Sequence, residues 1–169
     1  GVDRAVGVVA SPHDQTVERV GGDVVVVDDR PVAPDARQHK AGVGVVATQS
    51  MVEVSYGPLG LEGMRHGVTP HKILDDLLAK DDGRELRQVS LVDASGNVAA
   101  HTGNRCIAAA GHETGTQFSA QANMMLRNTV WHAMAEAFKA TGGELSLRLM
   151  AALEAAQNEG GDIRGRQSA

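Results

Sequence analysis

The chain has 169 residues, 42% of them hydrophobic, and a formal net charge of −5 at pH 7. This length fits one domain with a substantial core, and the excess of acidic residues argues against a general binder of nucleic acids or anionic membranes. No apolar run approaches the roughly 20 residues of a membrane span, and no basic-then-apolar signal segment is present, so the default expectation is a cytoplasmic protein. The single cysteine, Cys106, excludes an intrachain disulfide and a cysteine-cluster metal site.

Residues 1–40 differ in composition from the rest of the chain. They contain eleven Val but no Leu, Ile, Met, Phe, Tyr or Trp. The patches Val6–Ala10 and Val24–Val27, with Gly21-Gly22 between them, predict a Val-rich hairpin, and the prolines that follow interrupt any regular element. The alternative is that this stretch is not the natural start of the domain, since such a composition is typical of an off-frame reading of GC-rich DNA. We therefore divide the chain into an atypical Val-rich segment, 1–40, and a domain, 41–169.

Regular patterning begins at Ala41. The segment Gly42–Thr48 alternates little, which is typical of a strand covered on both faces. Thr69 and Pro70 match an N-cap and a first helical position. The segment Arg87–Asp93 alternates cleanly and is followed by a turn, which predicts a hairpin. The predicted elements are strand Gly42–Thr48, helices Leu59–His66 and Pro70–Ala79, strands Arg87–Asp93, Val98–Thr102 and Gln117–Gln121, a helix from Asn128 or Thr129 to Ala140, and a helix from Ser146 to about Asn158.

This order places helices in pairs between groups of strands. It favours an α+β fold, with helices layered on sheets of mixed or antiparallel strands, over a doubly wound βαβ fold. Gly42-Val43-Gly44 is not a dinucleotide fingerprint, because the third glycine is missing and the following residues have a strand pattern. The histidines show no metal-ligand spacing, so we expect neither a metal nor a cofactor.

Two polar stretches are candidate sites. In the tail GGDIRGRQS, Asp162 and Arg164 lie on the same side of an extended segment, where they could grip a carboxylate or polarise an amide. The alternative is a solvated loop with a local ion pair. Thr48-Gln49-Ser50 ends a buried strand, and Tyr56 could lend its hydroxyl there. The alternative for that stretch is a turn that satisfies its own backbone.

Three single residues are also candidates. His101 ends a hairpin strand and could act as a general base, although a hydrogen-bonded structural histidine fits the pattern as well, and the same holds for His112. Cys106 could be a nucleophile, but its Ala and Ile neighbours predict a buried thiol.

Residues 41–169 resemble the bacterial and archaeal family of domain of unknown function 1028. The resemblance rests on the motifs AGVGVVATQS, SYGPLGLEGM, DDGRELRQVSLVDASGNVAAHTGNRC, AGHETGTQFSAQANMM, MAEAFKAT and GGDIRGRQSA. It implies a fold similar to that of the N-terminal-nucleophile hydrolases, in which two stacked sheets lie between two layers of helices. It also implies, at most, hydrolysis of amide-type bonds, since the family has no established substrate.

The chain departs from that family at both ends. Residue 1 is glycine, which offers no nucleophile, whereas in such hydrolases the free N-terminal residue supplies both the attacking group and the base. Ser11 could become such a residue only after cleavage. Members of the family also continue past GRQSA. We therefore expect a four-layer αββα domain with strands missing at both ends, and a weak or inactive catalyst.

The predicted function is hydrolysis of an amide or peptide-like bond in a small polar molecule. The alternative is a non-catalytic module that binds a small metabolite or forms oligomers. We expect no nucleic-acid or membrane partner, and we expect a homo-oligomer because missing strands would expose sheet edges. The predicted catalytic residues are Asn123, as an amide for oxyanion stabilisation, and His101; the predicted substrate-binding residues are Gln49, Ser50, Tyr56, Asp162 and Arg164.

Overall fold

The computed structural model describes residues 5–10, 37–40 and 42–165. This part of the chain forms strands and helices in the order strand-strand-strand, helix-helix, four strands, helix-helix. The strands are β1 Ala5–Ala10, β2 Arg37–Lys40, β3 Gly44–Ser50, β4 Arg87–Asp93, β5 Val98–Thr102, β6 Gly111–Gly115 and β7 Phe118–Asn123; the helices are α1 Tyr56–Arg65, α2 Pro70–Ala79, α3 Val130–Ala140 and α4 Leu145–Asn158.

The strands form two small antiparallel sheets. The four-stranded sheet has the order β2-β3-β4-β5, so each strand pairs with its neighbour in the sequence. The three-stranded sheet has the order β1-β7-β6, with β7 in the middle. The fold is therefore mixed α+β, as the sequence predicts.

Each sheet packs one face against a helix pair. Alternate residues of β3, β4 and β5, including Val46 and Leu91, form a buried cluster with Ile73 and Leu74 of α2 and with residues of α1. Alternate residues of β7 form a second cluster with α3 and α4, centred on Met134 and Phe138. The period of two along each strand directs the intervening residues to the opposite face.

Those opposite faces meet in the interior. β4 contacts β7, and β5 contacts β6. Val45, Ala47 and Val92 form a small apolar cluster on this side of the four-stranded sheet. Towards the other end of β3 and β4 the same face carries Gln49 and Gln88, which are also buried. The interior between the sheets thus changes from apolar to polar along the strands.

Several predicted bounds are confirmed. The helix Pro70–Ala79 and the strands Arg87–Asp93 and Val98–Thr102 form as predicted. Thr69 caps its helix, with the Lys72 backbone N donating to Thr69 Oγ1 over 3.4 Å. The first predicted helix starts earlier than expected, at Tyr56, and ends at Arg65.

The predictions for residues 1–40 need correction. The patch Val6–Ala10 does lie in a strand, β1, but the partner of β1 among the described residues is β7 and not Val24–Val27, which falls outside them. β2 forms after the prolines and pairs with β3, where we expected no regular element. Gly111–Gly115 also forms a strand that its composition did not predict.

Candidate functional site

The polar end of the interior carries four buried carboxamides, which we call the amide layer: Gln49, Gln88, Gln121 and Asn123. Gln49 and Gln88 are direct neighbours across β3 and β4. Asn123 Nδ2 donates to Gln88 Oε1 over 3.0 Å, which joins the two sheets. Gln121 precedes Asn123 by two residues on β7 and so lies on the same face. All four are 5% exposed or less.

Gln88 connects this layer to the strands β5 and β6. Its Nε2 lies 2.9 Å from the carbonyl oxygen of Ala122 and 3.1 Å from that of Gly111. Because carbonyl oxygens only accept hydrogen bonds, these contacts fix which end of the amide is the donor. The same Nε2 lies 3.0 Å from Thr102 Oγ1. The two hydrogens of Nε2 are therefore shared among three acceptors, the two carbonyl oxygens and the Thr102 hydroxyl oxygen.

Thr102 in turn contacts a half-buried imidazole. Its Oγ1 lies 2.8 Å from His112 Nδ1. Burial and the nearby His101 both lower the pKa of His112, so its ring is neutral at neutral pH. Since Gln88 can only donate to Thr102, the hydroxyl hydrogen is free to point at His112 Nδ1 in the tautomer that leaves this nitrogen unprotonated.

This hydroxyl–imidazole pair lines a cleft of about 440 Å³. Such a volume lies within the range of small-molecule sites, roughly 300–1,000 Å³. With His112 neutral, the cleft is lined by uncharged groups, one of them the indole of Trp131. The lining residues are Thr102, Gly103, Asn104, Cys106, Ala108, Ala110, Gly111, His112 and Trp131.

Several buried polar atoms in the interior between the sheets have no hydrogen-bond partner in the described part of the chain. Both amide atoms of Gln49 and of Gln121 are unpaired, as is Asn123 Oδ1. The hydroxyls of Ser90 and Ser119 are unpaired as well. Each such group costs about 1–3 kcal/mol, and unpaired buried groups are uncommon in folded proteins. Ordered water or a hydrogen-bonding ligand would satisfy them.

Tyr56 is occupied on the helix side of the four-stranded sheet. Its hydroxyl donates to Asp81 Oδ2 over 3.0 Å, and Arg87 Nε donates to the same oxygen over 2.7 Å. Burial and the Asp81 carboxylate raise the pKa of Tyr56, so its phenol stays protonated. The structure does not bring this residue to the amide layer.

His101 also lies away from Asn123. It pairs with Val89 of β4, whose side chain packs towards the helices, and its Nε2 lies 2.9 Å from the carbonyl oxygen of Arg84. His101 therefore lies on the helix-facing side of its sheet, whereas Asn123 lies on the side of its sheet that faces the interior. The two predicted catalytic residues do not face each other. Ser50, at the end of β3, has the left-handed φ of 64° and interacts with Cys106.

Cys106 is a buried free thiol, as its neighbours predict. Its Sγ donates to the carbonyl oxygen of Arg87 over 3.3 Å. Burial raises the pKa of this thiol, so it is protonated at neutral pH and a poor nucleophile.

Asp162 and Arg164 form the ion pair expected from their spacing, with Arg164 Nε donating to Asp162 Oδ1 over 2.6 Å. Asp162 forms a β-bridge with Met125, and the Ile163 backbone N donates to the carbonyl oxygen of Met124. This segment thus lies beside the residues that follow Asn123. Of the predicted substrate-binding residues, Gln49 is the one that shares the amide layer with Asn123.

One group of side chains has the composition of a metal site. The ligand atoms of Glu113, His132 and Glu136 lie within 4.8 Å of one another. The Lys139 ammonium already contacts Glu113 and Glu136, at 3.1 and 2.5 Å, and His132 Nδ1 lies 2.7 Å from Glu113. These contacts describe an ion-pair network at the surface of α3, because the cation that the carboxylates need is supplied by the lysine.

The family model described as "Family of unknown function (DUF1028)" matches residues 15–169. The chain belongs to this family. The match begins well before Ala41, so residues 15–40, which we had placed outside the resemblance, lie inside it. No curated protein matches the chain.

A solved member of DUF1028 has a similar structure. The chain is similar to protein SPO2555 from Silicibacter pomeroyi, with a TM-score of 0.69 and 32% identity. The match covers 74% of this chain and 56% of that protein, so the chain spans little more than half the length of its solved relative. No helix among the described residues is long and apolar enough to cross a membrane.

Proposed function

We propose that this protein hydrolyses an amide bond in a small, neutral, peptide-like molecule that binds in the cleft beside Thr102 and His112. The observation that carries the proposal is a continuous chain of hydrogen-bond contacts, Asn123–Gln88–Thr102–His112, that ends at this cleft. A hydroxyl next to a neutral imidazole, held in place by buried amides, is an arrangement suited to acyl transfer.

The packing of the helix pairs on the two sheets also supports hydrolysis of an amide bond. One helix pair packs on each sheet, and the sheets contact each other through β4, β5, β6 and β7. This arrangement supports a four-layer αββα architecture like that of the N-terminal-nucleophile hydrolases, which cleave amide bonds. In this proposal Asn123 holds Gln88 and Gln49 lies beside it, while Asp162 and Arg164 lie next to Met124 and Met125, which follow Asn123.

The substrate class follows from the lining. A charged substrate needs a compensating charge or several strong donors in a buried site. The cleft offers a neutral imidazole, the carboxamide of Asn104 and the apolar face of Trp131. A neutral molecule with an amide group and one apolar substituent matches these groups.

The experiment is an amidase assay on the purified chain. We expect release of the amine from N-acyl amino-acid anilides with a blocked carboxyl group, and slower release from the same compounds with a free carboxylate. Gln88→Met removes the central amide and is expected to lower the rate at least about tenfold. Gln157→Met, an exposed glutamine on α4, is the matched control. Far-UV circular dichroism establishes that both variants fold, and absence of turnover with every amide contradicts the proposal.

A second function is a binding module without chemistry. The unpaired amides of Gln49 and Gln121 favour it, because they could hold a polar metabolite whether or not a bond is broken. A rise in Tm with acetamide or N-acetyl amino-acid amides, without any hydrolysis of them, would identify a binder.

A further inference from the structure

We propose that Thr102 is the nucleophile of this site and that His112 is its general base. The assignment rests on the proposed hydrolase function and gives that function an attacking group. It concerns two residues within the family-matched region, on the neighbouring strands β5 and β6.

The geometry meets the requirement for an activated hydroxyl. A nucleophile and its base must lie within about 2.6–3.2 Å, with a third group holding one of them. Thr102 Oγ1 and His112 Nδ1 are 2.8 Å apart, and Gln88 Nε2 lies 3.0 Å from the same oxygen. Gln88 is itself held by Asn123 and two backbone carbonyls, so the Thr102 hydroxyl lies against a side chain of fixed position.

His112 is in the protonation state that a base requires. Its burial disfavours the imidazolium, and a lowered pKa keeps Nδ1 able to accept a proton at neutral pH. The titratable groups around it in the described residues are His101, at the neighbouring position on β5, and Cys106, which lines the same cleft. Cys106 stays protonated and donates to Arg87, so the hydroxyl is the better placed of the two nucleophiles in the cleft.

The reaction proceeds in two balanced steps. Thr102 Oγ bonds to the substrate carbonyl carbon as its proton passes to His112 Nδ1, and the C–N bond breaks as that proton passes to the leaving amine. The products are a free amine and an acyl ester on Thr102. Water then attacks the ester carbonyl, giving its proton to His112, which returns it to Thr102 Oγ as the carboxylic acid leaves.

Acylation of the purified chain by a β-lactone tests the assignment directly, with mass spectrometry locating the adduct. We expect one acyl group on the peptide that contains Thr102. Thr102→Val keeps the shape but removes the hydroxyl, and should lower the labelling rate at least about 100-fold, whereas Thr102→Ser should retain labelling. Thr114→Val, which removes an exposed hydroxyl further along β6, is the control and should label at the parent rate.

His112→Gln is expected to lower the labelling rate by about 10²–10⁴-fold, the usual contribution of a general base. The parent rate should fall in acid with an apparent pKa below the ordinary 6.5 of histidine, and this dependence should vanish in His112→Gln. A merely structural histidine would not impose that pH profile.

The outcomes separate this assignment from the proposed function. Adducts on another residue, or labelling of Thr102→Val at the parent rate, would show that Thr102 is not the nucleophile. Amide turnover that persists in Thr102→Val would also contradict this assignment, while still supporting the hydrolase function. Labelling at Thr102 without turnover of any amide supports the nucleophile and overturns the amide substrate class.

Discussion

The Asp81 carboxylate joins three parts of the chain at one point. It accepts hydrogen bonds from the Tyr56 hydroxyl, from Arg87 Nε at 2.7 Å and from the Gly83 backbone N at 2.7 Å. These contacts, the Arg87 guanidinium above all, lower the pKa of Asp81 from 3.8 to about 2. Because the pKa of Asp81 is lower in the folded state than in the unfolded chain, the carboxylate stabilises the fold above pH 3.8. This contribution is lost as the pH falls towards 2.

Asp81→Asn should therefore destabilise the protein at neutral pH. The shift in pKa corresponds to a loss on the order of 2 kcal/mol in the free energy of unfolding. Urea denaturation at pH 7, pH 4 and pH 2.5 measures the free energy of unfolding. The difference between parent and variant should be smaller at pH 2.5 than at pH 4. The control is Asp76→Asn, which breaks an exposed ion pair with Lys72 and should cost less than about 0.5 kcal/mol. A constant difference at all three pH values would contradict the linkage.

Tyr56 shows why the sequence misplaces single residues. Its partner Asp81 is 25 residues away, so no local pattern reveals that the hydroxyl is already bound. Gln88 shows the opposite case. The alternation in Arg87–Asp93 puts Gln88, Ser90 and Val92 on one face, and two polar residues on a buried strand face are a signal that could have located the amide layer.

At the scale of elements, α1 depends on glycine for its distance from the sheet. A Cβ on Gly60 would lie 2.7 Å from Val46 Cγ2 and 3.2 Å from Leu91 Cδ2. Val46 is β-branched and fully buried, so its side chain has little freedom to move away. The close approach of α1 and β3 needs a residue without a side chain at this position.

Gly60→Ala should destabilise the protein although alanine is the better helix former. Overpacking a core costs about 1–3 kcal/mol, which exceeds the gain of about 1 kcal/mol in helix propensity. Gly142→Ala is the matched control, because nothing lies within 4 Å of its Cβ position. Thermal unfolding of the two variants should give a lower Tm for the first and an unchanged or higher Tm for the second. Equal Tm values would show that α1 can shift away from β3.

Some elements are specified by their own residues, and others form only because of the strands with which they pair. α2, β4 and β5 carry their own cap, alternation and turn, and their bounds follow from the sequence. β6 does not: Gly111–Gly115 is poor in strand formers and becomes a strand by pairing with β7, with Trp131 so close that a Cβ on Gly111 would lie 2.5 Å from the indole. β2, of sequence RQHK, likewise depends on its pairing with β3. Strands of this kind are set by their neighbours, which a local pattern does not contain.

At the scale of the whole molecule, the two sheets meet through an interior that is only half apolar. Val45, Ala47 and Val92 fill one end, and the amide layer fills the other. The unpaired amides of Gln49 and Gln121 cost stability in the unliganded protein, so their retention fits a site that exchanges stability for binding. Gln88 is hydrogen-bonded, whereas both amide atoms of Gln49 and of Gln121 are unpaired among the described residues, which makes this argument testable.

The substitution Gln→Met should change the free energy of unfolding in opposite directions at Gln121 and at Gln88. Gln121→Met removes an amide with no partner among the described residues and should stabilise the unliganded protein by about 1–3 kcal/mol. Gln88→Met leaves the Gly111 and Ala122 carbonyls and Asn123 Nδ2 without their partner and should destabilise it by a similar amount. Gln157→Met, on the surface of α4, should change stability by less than about 0.5 kcal/mol.

Urea denaturation of the three variants measures these free energies, and repeating it with N-acetyl amino-acid amides present adds the functional reading. A ligand that satisfies Gln121 should stabilise the parent and Gln157→Met, by an amount that grows with ligand concentration. It should stabilise Gln121→Met less, because that variant has lost the amide that the ligand contacts. Loss of stability in Gln121→Met without ligand would mean that the amide is already satisfied in solution, and the polar half of the interior would then be structural rather than a binding site.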